Sequence, residues 1–143
     1  MIVADSSVWI DFFNGKKTAQ TRYLRDRADR HQIAVGDLVL CEVLQGFRRD
    51  KDMVATRQLL LSFHNYNMAG QEIAPSAAGN YRKLRAMGIT IRKTMDILIA
   101  TSCITSGFCL LHADADFDPL ERLLGLRFIH PECDRRSVVD VEQ

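Results

Sequence analysis

Apolar residues along this chain recur with two periods, and the alternation between them predicts the architecture. Short apolar runs at 2–4 (Ile2-Val3-Ala4), 33–35 (Ile33-Ala34-Val35) and 108–111 (Phe108-Cys109-Leu110-Leu111) are too short for helices and read as buried strands. Weaker strand signals fall around 66–68 and at 126–129. Between these runs the spacing is helical. Residues 16–30 are polar and helix-prone, with Tyr23 and Leu24 as sparse apolar points. Val39, Leu40, Val43, Leu44 and Phe47 form one stripe of a helix that Asp37 would cap. After a charged turn at 48–51, further helices are expected over 53–63, over 75–87 with Gly88 as its C-cap, and over 119–124. Asp118 would cap the last of these, with Glu121 completing a capping box and Gly125 closing it. From Thr94, as N-cap, to Gly107 the chain is apolar on nearly every side, which predicts a core helix. Strands alternating with helices indicate an α/β fold: a parallel sheet with helices on both faces.

A length of 143 residues suits one domain, expected over 1–130, with a polar and loosely ordered tail over 131–143. The apolar share of 47% and the charged share of 26% are those of a soluble globular protein. No basic-then-apolar leader precedes Ile2, and no apolar run approaches membrane-spanning length, so a cytoplasmic protein without membrane contact is expected. Cys41, Cys103, Cys109 and Cys133 show neither C-x-x-C spacing nor a zinc-finger histidine, which points to reduced thiols and no structural zinc. The net charge of +1 conceals three basic clusters, at 16–30, 48–51 and 82–93. Each alone is a solvated helix face; converging on an acidic cleft, they would hold a phosphate backbone.

Several acids fall where such a fold places chemistry. Asp5 ends the first strand, and ligands gather beyond the carboxyl ends of strands in open α/β sheets. Taken alone, Asp5 reads as the cap of a following turn or short helix, assisted by Ser6 and Ser7. Glu42 borders the buried stripe of its helix, as an ordinary boundary glutamate also would. Asp96 lies in the first turn of the apolar helix, where the dipole alone would favour it. Asp114 and Asp116 leave the 108–111 strand two residues apart and, if extended, face the same side. Such a pair repels unless a cation or a proton lies between. An all-oxygen cluster suits Mg²⁺ or Mn²⁺, which can bind a substrate phosphate, activate a water and stabilise a leaving oxygen. Metal-dependent phosphodiester hydrolysis follows.

The ordered set Ile2-Val3-x-Asp5-Ser6-Ser7-Val8-Trp9-Ile10-Asp11, the Glu42 helix, Arg92-Lys93-Thr94-Met95-Asp96-x-Leu98-Ile99-Ala100 and Leu110-Leu111-His112-x-Asp114-x-Asp116-Phe117 resembles PIN-domain ribonucleases. More narrowly it resembles the VapC-type toxins of bacterial toxin–antitoxin pairs, over nearly the whole chain from residue 2 to 129. The resemblance implies a three-layer α/β/α sandwich around about five parallel strands, Mg²⁺- or Mn²⁺-dependent cleavage of RNA, with tRNA or rRNA as target, and a homodimer. It also implies a VapB-type antitoxin whose C-terminal segment enters the acidic cleft; DNA would be bound only through that partner. Position by position, Asp5, Glu42, Asp96 and Asp114 match the catalytic acids. Asp5, Asp96, Asp114 and Asp116 would hold metal, Ser6 would steady Asp5 or a water at the metal, and Arg92 would position the RNA backbone. His112 departs from the family, which more often has Thr or Ser there; a histidine can still hydrogen-bond a carboxylate or a phosphate.

A rival from another class is a catalytically inactive PIN-like module that binds RNA or protein. The full acidic set argues against it, because a non-catalytic module has no reason to keep so many mutually repelling carboxylates. An acyl-transfer hydrolase lacks its nucleophile–histidine pair. A receiver-like domain would need a matching lysine on a late strand, and none is evident.

Overall fold

The computed structural model describes residues 1–132, so the expected tail lies outside the described residues from position 133 onward, as does Cys133. Four strands, β1 (Ile2–Ala4), β2 (Ile33–Gly36), β3 (His64–Tyr66) and β4 (Cys109–Leu111), form an all-parallel sheet in the order β3-β2-β1-β4. Ile2 lies opposite Ile33 on one side and Cys109 on the other, and Ala4 lies opposite Leu111. Parallel strands need long crossovers, and six helices supply them: α1 (Ser6–Phe13), α2 (Ala19–Asp26), α3 (Asp37–Gln45), α4 (Asp50–Leu61), α5 (Ile73–Ala86) and α6 (Thr94–Ser106); α7 (Asp118–Leu124) follows β4. Helix α1 packs on α2 and α3, α3 on α4, and α5 on α6, completing the α/β architecture expected from the alternation. Strand order reverses between β1 and β4, and that crevice, at the strands' carboxyl ends, is where a doubly wound sheet binds ligands.

The central strands are apolar because both of their faces are covered. Val3, Ala34 and Leu110 are completely buried, and Val8, Val39, Ile99 and Ala100 pack into the same core. The fifth strand is reduced to one rung. Phe128 bridges Leu110 in parallel, with Leu110 N–H donating to Arg127 O (2.8 Å) and Ile129 N–H to Leu110 O (2.9 Å). Gly125, left-handed at the end of α7, and Pro131, which has no N–H, confine that segment to a few residues.

Several boundaries differ from expectation. Strand β3 ends at Tyr66 instead of spanning 66–68; it is a largely exposed edge, so hydrophobicity carried little signal there. Asp37, Thr94 and Asp118 each stand one residue inside their helices, behind Gly36, Lys93 and Phe117. The capping box between Asp118 and Glu121 does not form, and Glu121 pairs with His130 at 2.8 Å instead. Helix α4 starts at Asp50 inside the supposed turn: Asp50 and Asp52 complement its N-terminal dipole, and Asp52 also pairs with Arg49 at 3.1 Å. Helix α1 follows β1 directly, capped by Asp5 and held by Trp9 stacked on Phe13, with centroids 5.8 Å apart.

Gly36 closes β2 against fully buried Met68, whose N–H donates to Asp37 Oδ1 at 2.7 Å. A Cβ at position 36 would overlap Met68 Sδ and Cγ. Gly36→Ala is therefore expected to lower stability by about 1–3 kcal/mol through overpacking. In a Met68→Ala background its added cost should nearly vanish. Urea denaturation of the four proteins in this double-mutant cycle checks it; equal costs in both backgrounds would rule out the steric explanation.

Candidate active site

Each strand that reaches the crevice hands its chain to an acid. Asp5 directly follows β1, and its N–H donates to Leu111 O at 2.9 Å, which fixes the end of β1 against the end of β4. One oxygen of Asp5 serves the fold: Oδ2 accepts from Ser7 Oγ (2.7 Å) and Ser7 N–H (3.3 Å), capping α1. The other, Oδ1, is buried and has no hydrogen-bond partner. Asp96 enters from the first turn of α6, is buried, and leaves Oδ2 equally unpartnered. Asp114 follows β4; its Oδ1 accepts the Asp116 N–H (2.9 Å) and starts a single 3-10 turn over 115–117.

Carboxylate oxygens of Asp96, Asp114 and Asp116 lie within 4.8 Å of one another. Octahedral ligands at about 2.1 Å from a small cation are about 3 to 4.2 Å apart, so the three carboxylates lie close to the separations that a shared Mg²⁺-sized ion would impose. The donor set is all carboxylate, and two buried oxygens lack partners; both features suit a hard divalent cation. Asp5 stands outside the close trio, yet its charge acts on both Asp96 and Glu42.

Burial, and then the charge of Asp5, push the Asp96 carboxyl up to about 6, with Asp114 and Glu42 adding to the repulsion and Lys93 opposing it. Glu42, half-buried on α3, is raised by burial first and Asp5 second; a hydrogen bond from Ser6 Oγ to its Oε1 (3.2 Å) and the charge of Lys93 pull the other way. Burial lowers His112, against the attraction of Asp118 and Asp5.

The sequence-predicted acids therefore share one neighbourhood, and one supporting residue has a different partner. Ser7, not Ser6, holds Asp5; Ser6 holds Glu42. Ser7 was legible in principle, because a cap carboxylate reaches the residue two positions on. Arg92 is exposed and, among the described residues, makes no hydrogen bond or ion pair, while its neighbour Lys93 offsets the acids. Elsewhere, Arg25 is bound to Asp26 at 2.8 Å and Arg49 to Asp52, so part of the basic clusters is neutralised locally.

Comparison with known proteins is consistent with this geometry. A family model described as PIN domain matches residues 2–123. Ribonuclease VapC11 of Mycobacterium tuberculosis is 31% identical over 131 residues, covering 89% of this chain and 96% of that protein. VapC ribonuclease Mb1587 of Mycobacterium bovis matches to the same extent. Among solved structures, FitAcB from Neisseria gonorrhoeae superposes with a TM-score of 0.73 at 13% identity, covering 92% of this chain and 99% of that one. VapBC2 from Rickettsia felis, bound to a DNA fragment from their promoter, does so at 0.69 and 19%, covering 90% and 98%. At such identities these structures bear on the fold alone.

The raised Asp96 carboxyl has a consequence for stability. A folded-state value above the ordinary 3.8 means the native protein holds this proton more tightly. The contribution is thus fully present at acid pH and lost as pH rises through about 6. In EDTA, Asp96→Asn should stabilise the protein at pH 7.5 by on the order of 2–3 kcal/mol and have little effect near pH 4. Taking the difference between variant and wild type removes the opposing contribution of His112. Added Mn²⁺ should raise the wild-type melting temperature and leave the variant nearly unmoved. A difference that stays flat from pH 4 to 7.5 would contradict the desolvated cluster.

Proposed function

This chain belongs to the PIN-domain family and, within it, to the VapC ribonucleases; on that premise we propose that it is a divalent-metal-dependent endoribonuclease, the toxin of a VapBC-type pair. The observation that supports this most is the pair of buried, unpartnered oxygens, Asp5 Oδ1 and Asp96 Oδ2, beside the Asp114 and Asp116 carboxylates. Asp5, Asp96, Asp114 and Asp116 would hold the cation, Mg²⁺ or Mn²⁺. When bound, such an ion supplies charge stabilisation at the scissile phosphate and activation of the attacking water.

The remaining work falls to the chain's own groups. Glu42 Oε1 accepts from Ser6, which leaves Oε2 as the atom to receive a proton from the attacking water. Its raised affinity for protons, set by burial and by Asp5, suits that role. Lys93, with exposed Arg92 beside it, would draw the RNA backbone over the acids and cancel part of their repulsion toward phosphate. Target choice would rest on loop shape and unpaired bases in tRNA or rRNA. The same reading carries a cytoplasmic location, a homodimer and a VapB-type antitoxin that would also mediate any promoter binding. No described helix is long and apolar enough to cross a membrane.

The deciding experiment incubates antitoxin-free protein with a pool of tRNA and rRNA, with Mg²⁺ or Mn²⁺ and with EDTA. Discrete fragments that need the metal are expected. Asp5→Asn and Asp96→Asn, folded by circular dichroism, should lose at least about 100-fold in rate, as loss of a preorganised electrostatic group does. No cleavage by folded wild type with either ion would favour a non-cutting binding module. Cleavage that survives both EDTA and Asp96→Asn would reveal a contaminating nuclease.

A further inference from the structure

His112 sits at the end of β4, two residues before Asp114, with its side chain only 12% exposed. The ring is wedged between Phe117 (centroids 5.2 Å apart) and Phe128, which meets it edge-on at 4.3 Å. Its Nδ1 accepts the backbone N–H of Asp114 at 3.2 Å, and its Nε2 faces Asp118 Oδ1 at 3.9 Å. An accepting Nδ1 requires the neutral ring's proton on Nε2, the nitrogen that faces the carboxylate. Asp114 is consequently held at two points: its N–H by His112, and its Oδ1 by the N–H of Asp116. Its second oxygen is left with no hydrogen bond among the described residues.

The geometry points to His112 as a positioning residue that fixes the Asp114–Asp116 turn for cation binding, acting through Nδ1 as an acceptor. The inference rests on the reading of the acids as a cation site. Loss of a partner that orients a metal ligand typically costs about 10- to 100-fold in metal affinity. An i-to-i+2 bond to a backbone N–H is also the bond an asparagine makes in an Asx turn, with its acceptor at the same distance along the side chain. The acceptor, and not the ring, is what matters here.

Calorimetric titration of Mn²⁺ into metal-free protein at pH 8 tests this without relying on cleavage. His112→Phe keeps a ring between Phe117 and Phe128 but has no acceptor, and should weaken Mn²⁺ binding roughly 10- to 100-fold. His112→Asn restores the acceptor and should bind near the wild-type value. Equal affinity in all three proteins, or loss in both variants, overturns the positioning role while leaving the metal site standing. Failure of wild type to bind Mn²⁺ overturns the metal reading itself, and this inference with it. If His112→Phe does not fold, ¹⁵N NMR of the wild-type imidazole decides: a proton on Nε2 is the expected tautomer, and a proton on Nδ1 overturns the proposal.

Discussion

The whole arrangement turns on carboxylates of like charge gathered where water is scarce. Burial first and the field of Asp5 second, joined by Asp114 and Glu42 and only partly offset by exposed Lys93, push the Asp96 carboxyl up to about 6, a penalty on the order of 2–3 kcal/mol at neutral pH. Set against it is the dipole at the start of α6, worth about 0.3–1 kcal/mol. These do not balance. The protein folds with the deficit because the crevice is cut into a sheet that is dry and apolar on both sides, and the surplus stability of that core supports it. A cation would remove the deficit at its source, so stability and cation binding are aspects of one electrostatic fact.

Two of the acids serve the fold and the chemistry at once, by division of labour between their oxygens. Asp5 gives Oδ2 to the cap of α1 and keeps Oδ1 free; Asp114 gives Oδ1 to Asp116 and keeps the other. The cap reading of Asp5 is observed, and it leaves room for a chemical one, since one hydrogen-bonded oxygen pins the side chain and so aims the second. A carboxylate tied down in this way meets a ligand with little further loss of side-chain freedom. Asp96 has no such bond; the packed helix around it provides the rigidity instead.

What the sequence made legible follows the same physics. Ile2-Val3-Ala4, Ile33-Ala34-Val35 and Cys109-Leu110-Leu111 are apolar without alternation because both faces of a parallel sheet are covered, so the central strands stood out. Strand β3, whose residues His64 and Asn65 are exposed, did not. Helix α1 showed only through its cap: Val8, Trp9 and Ile10 extend the apolar character of β1, and the bond from Ser7 N–H to Asp5 Oδ2 marks where the strand becomes helix. The acids were readable as a set because Asp5, Asp114 and Asp116 follow strands, Asp96 opens a helix and Glu42 borders the buried stripe of one. Their partners were not: whether Ser6 or Ser7 turns back to Asp5, and whether Arg92 or Lys93 faces the cluster, depends on side-chain direction at the first residues of a helix.

Position 112 shows how a departure from a family pattern can conserve the physics beneath it. A Thr or Ser at this place presents a hydroxyl oxygen, and a backbone N–H two residues on is within reach of such an oxygen in an ST turn. Imidazole Nδ1 reaches the same N–H here, at 3.2 Å. A histidine keeps the acceptor and adds a flat aromatic ring, which Phe117 and Phe128 enclose. Phe128 belongs to the single rung that stands in for a fifth strand, and Phe117 ends the turn that carries Asp116. Phe128 and Phe117, on either side of the ring, thus bring the sheet's single-rung edge beside the turn that carries Asp116, while the bond to the Asp114 N–H needs only the acceptor.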